Sequence, residues 1–182
     1  NAFSMCTECR KYYPEFRVSI NLSYVQILKS PLMMELKQMI EHSGISCSGI
    51  IVELTESGYL EGTPAVRSVW NDMKQLRIQI ALDDFGTGYS NLMNISNLEP
   101  DIVKLDRGFT LKALSRSYEY QLMQYVIEMV HKLNQYVCVE GVETKEDLEK
   151  IKALGPDLIQ GYYYSKPCSR DEFLKKFFGY SE

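Results

Sequence analysis

The chain has 182 residues, 45% of them hydrophobic and 24% charged, a balance that excludes a disordered or fibrous polymer and fits one globular domain with its own core. A net charge of -4 and a pI near 5.3 argue against broad attraction to nucleic-acid backbone, although a bound metal can create a local phosphate site in an acidic protein. No apolar run approaches the roughly 18 residues of a membrane span and no charged-then-apolar leader is visible, so the chain reads as soluble.

The sequence opens at Asn1, in what reads as the middle of a helix, and a piece of a longer protein is expected. Five scattered cysteines, an odd number, suggest reduced thiols and a cytoplasmic setting, with any membrane tether lying elsewhere in the parent protein. Cys6 and Cys9 form one C-x-x-C with no second pair, and they fit core positions one helical turn apart better than a zinc site. His42 and His131 fall in amphipathic stretches and receive no role.

In chain order, helical spacing over residues 1–13 stops at Pro14. FRVSINL, residues 16–22, alternates as a strand and delivers Asn21 to its tip. Pro31 to His42 reads as an amphipathic helix with Gly44 just past its end. GIIVELTES follows as a strand carrying Glu53 and Glu56, and Thr63-Pro64 opens a helix to about Leu76. Ile78, Ile80 and Leu82 then form a strand that runs into Asp83 and Asp84 and a loop with Gly86 and Gly88. After a short helical piece at 91–96, DIVKLDRG is a strand ending in Lys104 and Asp106. Tyr118 to Asn134 is the longest helix, with Leu122, Val126, Met129, Val130 and Leu133 on one apolar face. YVCVEGVET is a strand tipped by Glu140, and Thr144 with Asp147 resembles a capping box for a helix to Leu154. DLIQG is a strand tipped by Gln160, an aromatic loop spans Tyr162 to Pro167, and Ser169 with Glu172 caps the last helix.

About six strands, each followed by a helix, imply parallel strands in one α/β domain. A doubly wound sheet gathers ligand groups near one switch point, whereas a TIM-type (β/α)8 barrel gathers them from many strand ends. Asn21, Glu53, Asp83, Asp84, Lys104, Asp106, Glu140 and Gln160 all stand at strand ends, and no G-x-G-x-x-G follows an early strand, so the barrel is preferred. A barrel needs about 250 residues and a βα unit roughly 30, so the expectation is a barrel N-terminally truncated to about six βα units.

Adjacent carboxylates on a strand end repel unless a cation sits beside them, and hard divalent ions favour such oxygens. Taken alone, such a pair is better explained by Asp83 as a helix cap with Asp84 in solvent, and its context has to decide. Several carboxylates, an amide and a lysine around one mouth instead fit two-metal hydrolysis of a phosphoester. Lys104 as a Schiff-base nucleophile would need a lowered pKa, which its acidic neighbours oppose, and Lys104 as a surface ion pair with Asp106 would suit a mouth that was otherwise apolar.

The ordered set SINLS (19–23), ELTES (53–57), ALDDFGTGYSNL (81–92), VKLDR (103–107), VEGVET (139–144) and QGYYYSKP (160–167) resembles the EAL-domain phosphodiesterases, which hydrolyse the bacterial messenger cyclic di-GMP. The resemblance covers essentially all of the chain, residues 1–182, as the C-terminal three quarters of the family's barrel. It implies hydrolysis of cyclic di-GMP to linear pGpG with Mg2+ or Mn2+ held by Asn21, Glu53, Asp83, Asp84 and Glu140. It implies Lys104 as water-positioning base or electrostatic helper, Asp106 as its neighbour and Gln160 as a polar group that places water or substrate. Glu56 would anchor the loop Phe85 to Ser90, which in the family couples the site to dimerisation, and Glu143 would support the ligands from behind. The family's Glu-Ala-Leu strand, whose glutamate also binds metal, has no counterpart upstream of Asn21. These 182 residues by themselves are therefore expected to be impaired as an enzyme and to associate as a homodimer or an element-exchanged oligomer. A nonhydrolytic receptor or protein-interaction domain on the same barrel is the alternative.

Overall fold

The structure, a computed structural model, describes residues 2–29, 31–55, 64–87, 95 and 99–179. Six strands lie side by side in chain order: β1 (Val18–Leu22), β2 (Ile50–Thr55), β3 (Gln79–Phe85), β4 (Ile102–Leu105), β5 (Tyr136–Val139) and β6 (Leu158–Ile159). Every neighbouring pair is parallel. Strict sequential order without reversal is the winding of a barrel, not of a doubly wound sheet. The sheet curls, because Arg17 and Ser19 at its β1 edge line the same cavity as Leu158 and Gln160 at its β6 edge.

Eight α-helices and one short 3-10 turn (Cys47–Gly49) accompany the strands among the described residues: α1 (Ala2–Cys9), α2 (Tyr24–Lys29), α3 (Leu32–Ser43), α4 (Pro64–Gln75), α5 (Arg107–Ser115), α6 (Ser117–Lys132), α7 (Lys145–Lys152) and α8 (Arg170–Phe178). Gly44 closes α3 at φ 64, the left-handed conformation that a residue without Cβ enters at least cost. Both expected capping boxes are present, Thr144 with Asp147 on α7 and Ser169 with Glu172 on α8. The expected Thr63 cap and nearly all of the 91–96 helical piece lie outside the described residues.

Side chains alternate across each strand, so the sheet has two different faces. Ile50, Val52, Leu54, Ile80, Leu82, Val103, Leu105, Val137 and Val139 pack outward against the helices in the main core. Inward, Ala81, Ile102 and Cys138 form a small apolar cluster with Ile51. This inner cluster is the floor beneath the charged strand ends. Cys6 and Cys9 are fully buried, and all five cysteines are free thiols.

Two elements escaped the sequence reading and one face is corrected. YVQILK and FTLKALS, for which no element is expected, belong to α2 and α5, and Arg107 and Gly108, expected at the end of the preceding strand, open α5. On α6 the expected apolar face holds at its centre, where Val130 is buried and Val126 and Met129 pack against the core, but its ends are corrected: Met123 and Ile127 are buried, whereas Leu122 is 42% and Leu133 50% exposed. The helix carries a broad apolar arc, and periodicity alone does not say which edge of it meets the sheet. Here the edge at positions i, i+4 and i+7 from Met123 does so.

The two ends of the described chain meet. Arg170 on α8 pairs with Glu8 on α1 at 2.5 Å, and Phe178 stands edge-on to Tyr13 at a centroid distance of 5.3 Å. Phe16, just before β1, contacts Phe173 and Phe178. Helix α8 begins at a cap in which the Glu172 carboxylate accepts from the Ser169 backbone N–H at 2.8 Å, and that hydrogen bond holds its pKa below the usual carboxylate value. A depressed folded-state pKa stabilises above the unfolded value and is lost as pH falls through the folded one. Acidification through the carboxylate range is therefore expected to fray the first turn of α8. Faster amide exchange at Ser169 to Phe173 in wild type, absent in Glu172→Gln, is the check.

Candidate active site

Strand alternation explains why this site exists. Asn21 on β1, Glu53 on β2, Asp83 on β3, Lys104 on β4 and Glu140 just after β5 fall at inward positions near the C-terminal ends of their strands, and Ser19 shares the inward face of β1 two residues before Asn21. Lys104, 4% exposed, is the centre: its Nζ lies 2.8 Å from Glu53 Oε2, 3.0 Å from Asp83 Oδ1 and 2.6 Å from Glu140 Oε1. An ammonium has three hydrogens and no acceptor, so these carboxylates match its full donor capacity. Burial alone would lower the Lys104 pKa, but the hydrogen bonds to Glu140 and Glu53 outweigh it and the pKa is raised. Burial also raises the Glu140 pKa, against the opposing pull of Lys104.

A bulge sets the two aspartates. Leu82 pairs with Val103 and Phe85 with Leu105, so β3 spends one more residue than β4 over the same span. Asp84 absorbs the excess at φ 60, a conformation uncommon for a side-chain-bearing residue, and its N–H donates to Asp83 Oδ1 at 3.0 Å. Asp83 thereby faces Lys104. Burial first, then the charges of Asp83 and Asp106, raise the Asp84 pKa. Gly86 follows at φ 104, where a Cβ would stand 2.9 Å from the Phe109 ring.

The other expected site residues divide into three groups. Asn21 is paired in register with Glu53 and is exposed at the mouth, and Gln160 lines the cavity of about 710 Å³ that also contains Glu53 and Lys104. Asp106 is spent on local structure, accepting from Gly108 N at 2.7 Å as the N-cap of α5, while its charge still reaches Asp84. Glu143 receives a hydrogen bond from Arg107 at 2.6 Å, an exposed pair beside the mouth. Glu56 and Gly88 to Ser90 lie outside the described residues.

Three participants were not assigned a role from sequence. The Ser19 hydroxyl donates to Glu53 Oε1, Arg107 holds Glu143, and the Cys138 thiol beneath Lys104 is pushed up to about 12 by burial. Ser19 had a legible signal, since it lies two residues before Asn21 on the same strand face. Arg107 had none, because its partner is 36 residues away.

Among the described residues, no group of three or more His, Cys, Asp or Glu side chains stands together as a metal centre. The carboxylates converge on the lysine instead. The donor chemistry nonetheless fits a divalent cation: the oxygens of Asn21, Glu53, Asp83, Asp84 and Glu140 are hard ligands. The acidic mouth outnumbers the buried Lys104 ammonium, and the negative charges of Asp83 and Asp106 that add to burial in raising the Asp84 pKa are an excess a divalent ion would neutralise.

These features have known counterparts. The chain is 32% identical over 160 residues to the cyclic di-GMP phosphodiesterase PdeF of Escherichia coli, an alignment covering 88% of this chain and 21% of that protein. The chain thus spans about a fifth of the length of that protein and of other curated relatives it matches, and 44% of the length of the cyclic di-GMP phosphodiesterase PdeL of Escherichia coli. The fold superposes with a TM-score of 0.88 on the EAL enzyme Bd1971 in its cAMP- and cyclic di-GMP-bound form, at 28% identity, covering 96% of this chain and 49% of that one. It matches the manganese and cyclic di-GMP complex of Klebsiella pneumoniae BlrP1 with a TM-score of 0.84 at 25% identity, covering 93% and 43%. The EAL domain profile matches residues 1–167, so the sheet that carries Lys104 and its three carboxylates belongs to the EAL domain family.

Proposed function

We propose that this domain hydrolyses cyclic di-GMP to linear pGpG with the help of Mg2+ or Mn2+. The observation that carries the reading is the buried Lys104 ammonium on β4 held by carboxylates from β2, β3 and the end of β5, Glu53, Asp83 and Glu140. Asn21, Glu53, Asp83, Asp84 and Glu140 would hold the ions, which when bound supply Lewis-acid polarisation of the phosphate and hydroxide at neutral pH. Lys104, with all its hydrogens directed at carboxylate oxygens, acts as a fixed cation that helps the attacking water electrostatically. Gln160 lies on the cavity wall where it can orient water or substrate, and Arg107 with Glu143 braces the rim. Asp106 orders the start of α5 next to Asp84 and contributes charge.

Residues 1–182 form the C-terminal three quarters of one EAL domain in this reading. Among the described residues β1 and β6 pair on one side only, which leaves strand edges able to associate in a homodimer or by exchange of elements. The domain works in the cytoplasm; among the described residues no helix is long and apolar enough to cross a membrane. The test compares this chain with a form extended upstream by about 60 residues, two βα units, with Mg2+ or Mn2+ and chromatographic detection of pGpG. The extended form is expected to turn over cyclic di-GMP and the shorter chain to do so poorly. Binding without turnover in the extended form would replace hydrolysis by a receptor role.

A further inference from the structure

The Glu53 carboxylate is held at both oxygens. Oε2 accepts from the Lys104 ammonium at 2.8 Å, and Oε1 accepts from the Ser19 hydroxyl. Glu53 is 9% exposed, so neither oxygen is freely solvated and each depends on its protein donor. The two donors arrive from different strands, β1 on one side of Glu53 and β4 on the other, and together they fix the carboxylate's plane. Ser19 itself is exposed on its strand and pairs in backbone register with Ile51, two residues before Glu53. Its position in the main chain is set by the ladder; the bond to Glu53 is what its side chain adds.

We propose that Ser19 is a positioning residue of the metal and substrate site, acting through Glu53; this rests on the reading of the site given above. Without the hydroxyl, Glu53 Oε1 loses its donor and the carboxylate is free to turn both oxygens toward Lys104. The strand-end set then presents one fewer oriented oxygen to an incoming cation. Partners that orient a ligand from behind it are commonly worth about 10–100-fold in metal affinity. Neither the helix packing nor the inner apolar cluster includes Ser19, so its removal leaves the fold's main contacts in place.

The experiment compares wild type, Ser19→Ala and Ser19→Thr. Metal-free protein with 13C-labelled glutamate carboxyls is examined by NMR, and Mn2+ affinity is measured by calorimetry. Ser19→Ala is expected to shift the Glu53 carboxyl resonance and to weaken Mn2+ binding about tenfold. Thr retains a hydroxyl on the same Cβ and should restore both readouts. An unshifted Glu53 resonance in Ser19→Ala, or a Thr variant that behaves as Ala does, overturns the positioning role. Wild type that binds no Mn2+ while its Glu53 resonance responds to Ser19→Ala overturns the metal reading and confines Ser19 to orienting Glu53 toward Lys104.

Discussion

Lys104→Ala is expected to lower the thermal midpoint of the metal-free protein by on the order of 10 °C. The substitution leaves Glu53, Asp83 and Glu140 converging on a space with no positive charge. Removing one member of a buried ionic group costs about 3–5 kcal/mol, because the partners remain desolvated and uncompensated. In a domain of this size each kcal/mol moves the midpoint by about 2–4 °C. A divalent cation supplies the missing charge, so Mn2+ should recover more stability in the variant than in wild type. In the upstream-extended form, Lys104→Ala should cut turnover by about 10²–10⁴-fold while affecting cyclic di-GMP affinity much less, since the ammonium acts on the attacking water. Melting curves in chelator and in Mn2+, beside turnover and equilibrium binding, check each step. Coincident melts of wild type and variant in chelator would mean that the carboxylates do not depend on the lysine.

Much of this arrangement was legible because strand alternation is local. Once FRVSINL, GIIVELTES and DIVKLDRG read as strands, Asn21, Glu53 and Lys104 stood at or near strand ends, and a period of two puts them on the face opposite Ile20, Val52 and Val103. The ordering of six such strands then favoured a barrel, and the sequential parallel sheet agrees. What stayed hidden was set by contacts between distant residues. Neither the α6 face nor the pairing of Arg107 with Glu143 is written in a local pattern. The resemblance implies Asp106 as a neighbour of Lys104 in the site, but no local pattern showed that its side chain also accepts from Gly108 N as the cap of a helix. The Asp83-Asp84 pair showed that something unusual stood there, but only the register with β4 reveals the bulge that turns Asp83 toward the lysine.

Gly161→Ala is expected to be the most damaging glycine substitution at the mouth. A Cβ at this position would lie 2.0 Å from Val142 O and 2.5 Å from Val142 N, both backbone atoms that no rotamer change can move. Those same atoms carry the junction of the last two strand ends: Val142 N donates to Gln160 O at 3.3 Å, and Val142 O accepts from Tyr163 N at 3.0 Å. Separating the segments therefore displaces Gln160 on one side and Glu140, two residues before Val142, on the other. Overpacking of this kind costs about 1–3 kcal/mol or more. Gly155→Ala is the control, because Gly155 sits at φ 75 with nothing within 4 Å, so its cost is confined to about 1–2 kcal/mol of left-handed backbone strain. Both variants should melt earlier than wild type, but only Gly161→Ala should also weaken Mn2+ binding and, in the extended form, turnover of cyclic di-GMP. If the two variants lose metal affinity equally, general destabilisation accounts for the loss, and the Gly161–Val142 contact does not set the position of Glu140 and Gln160.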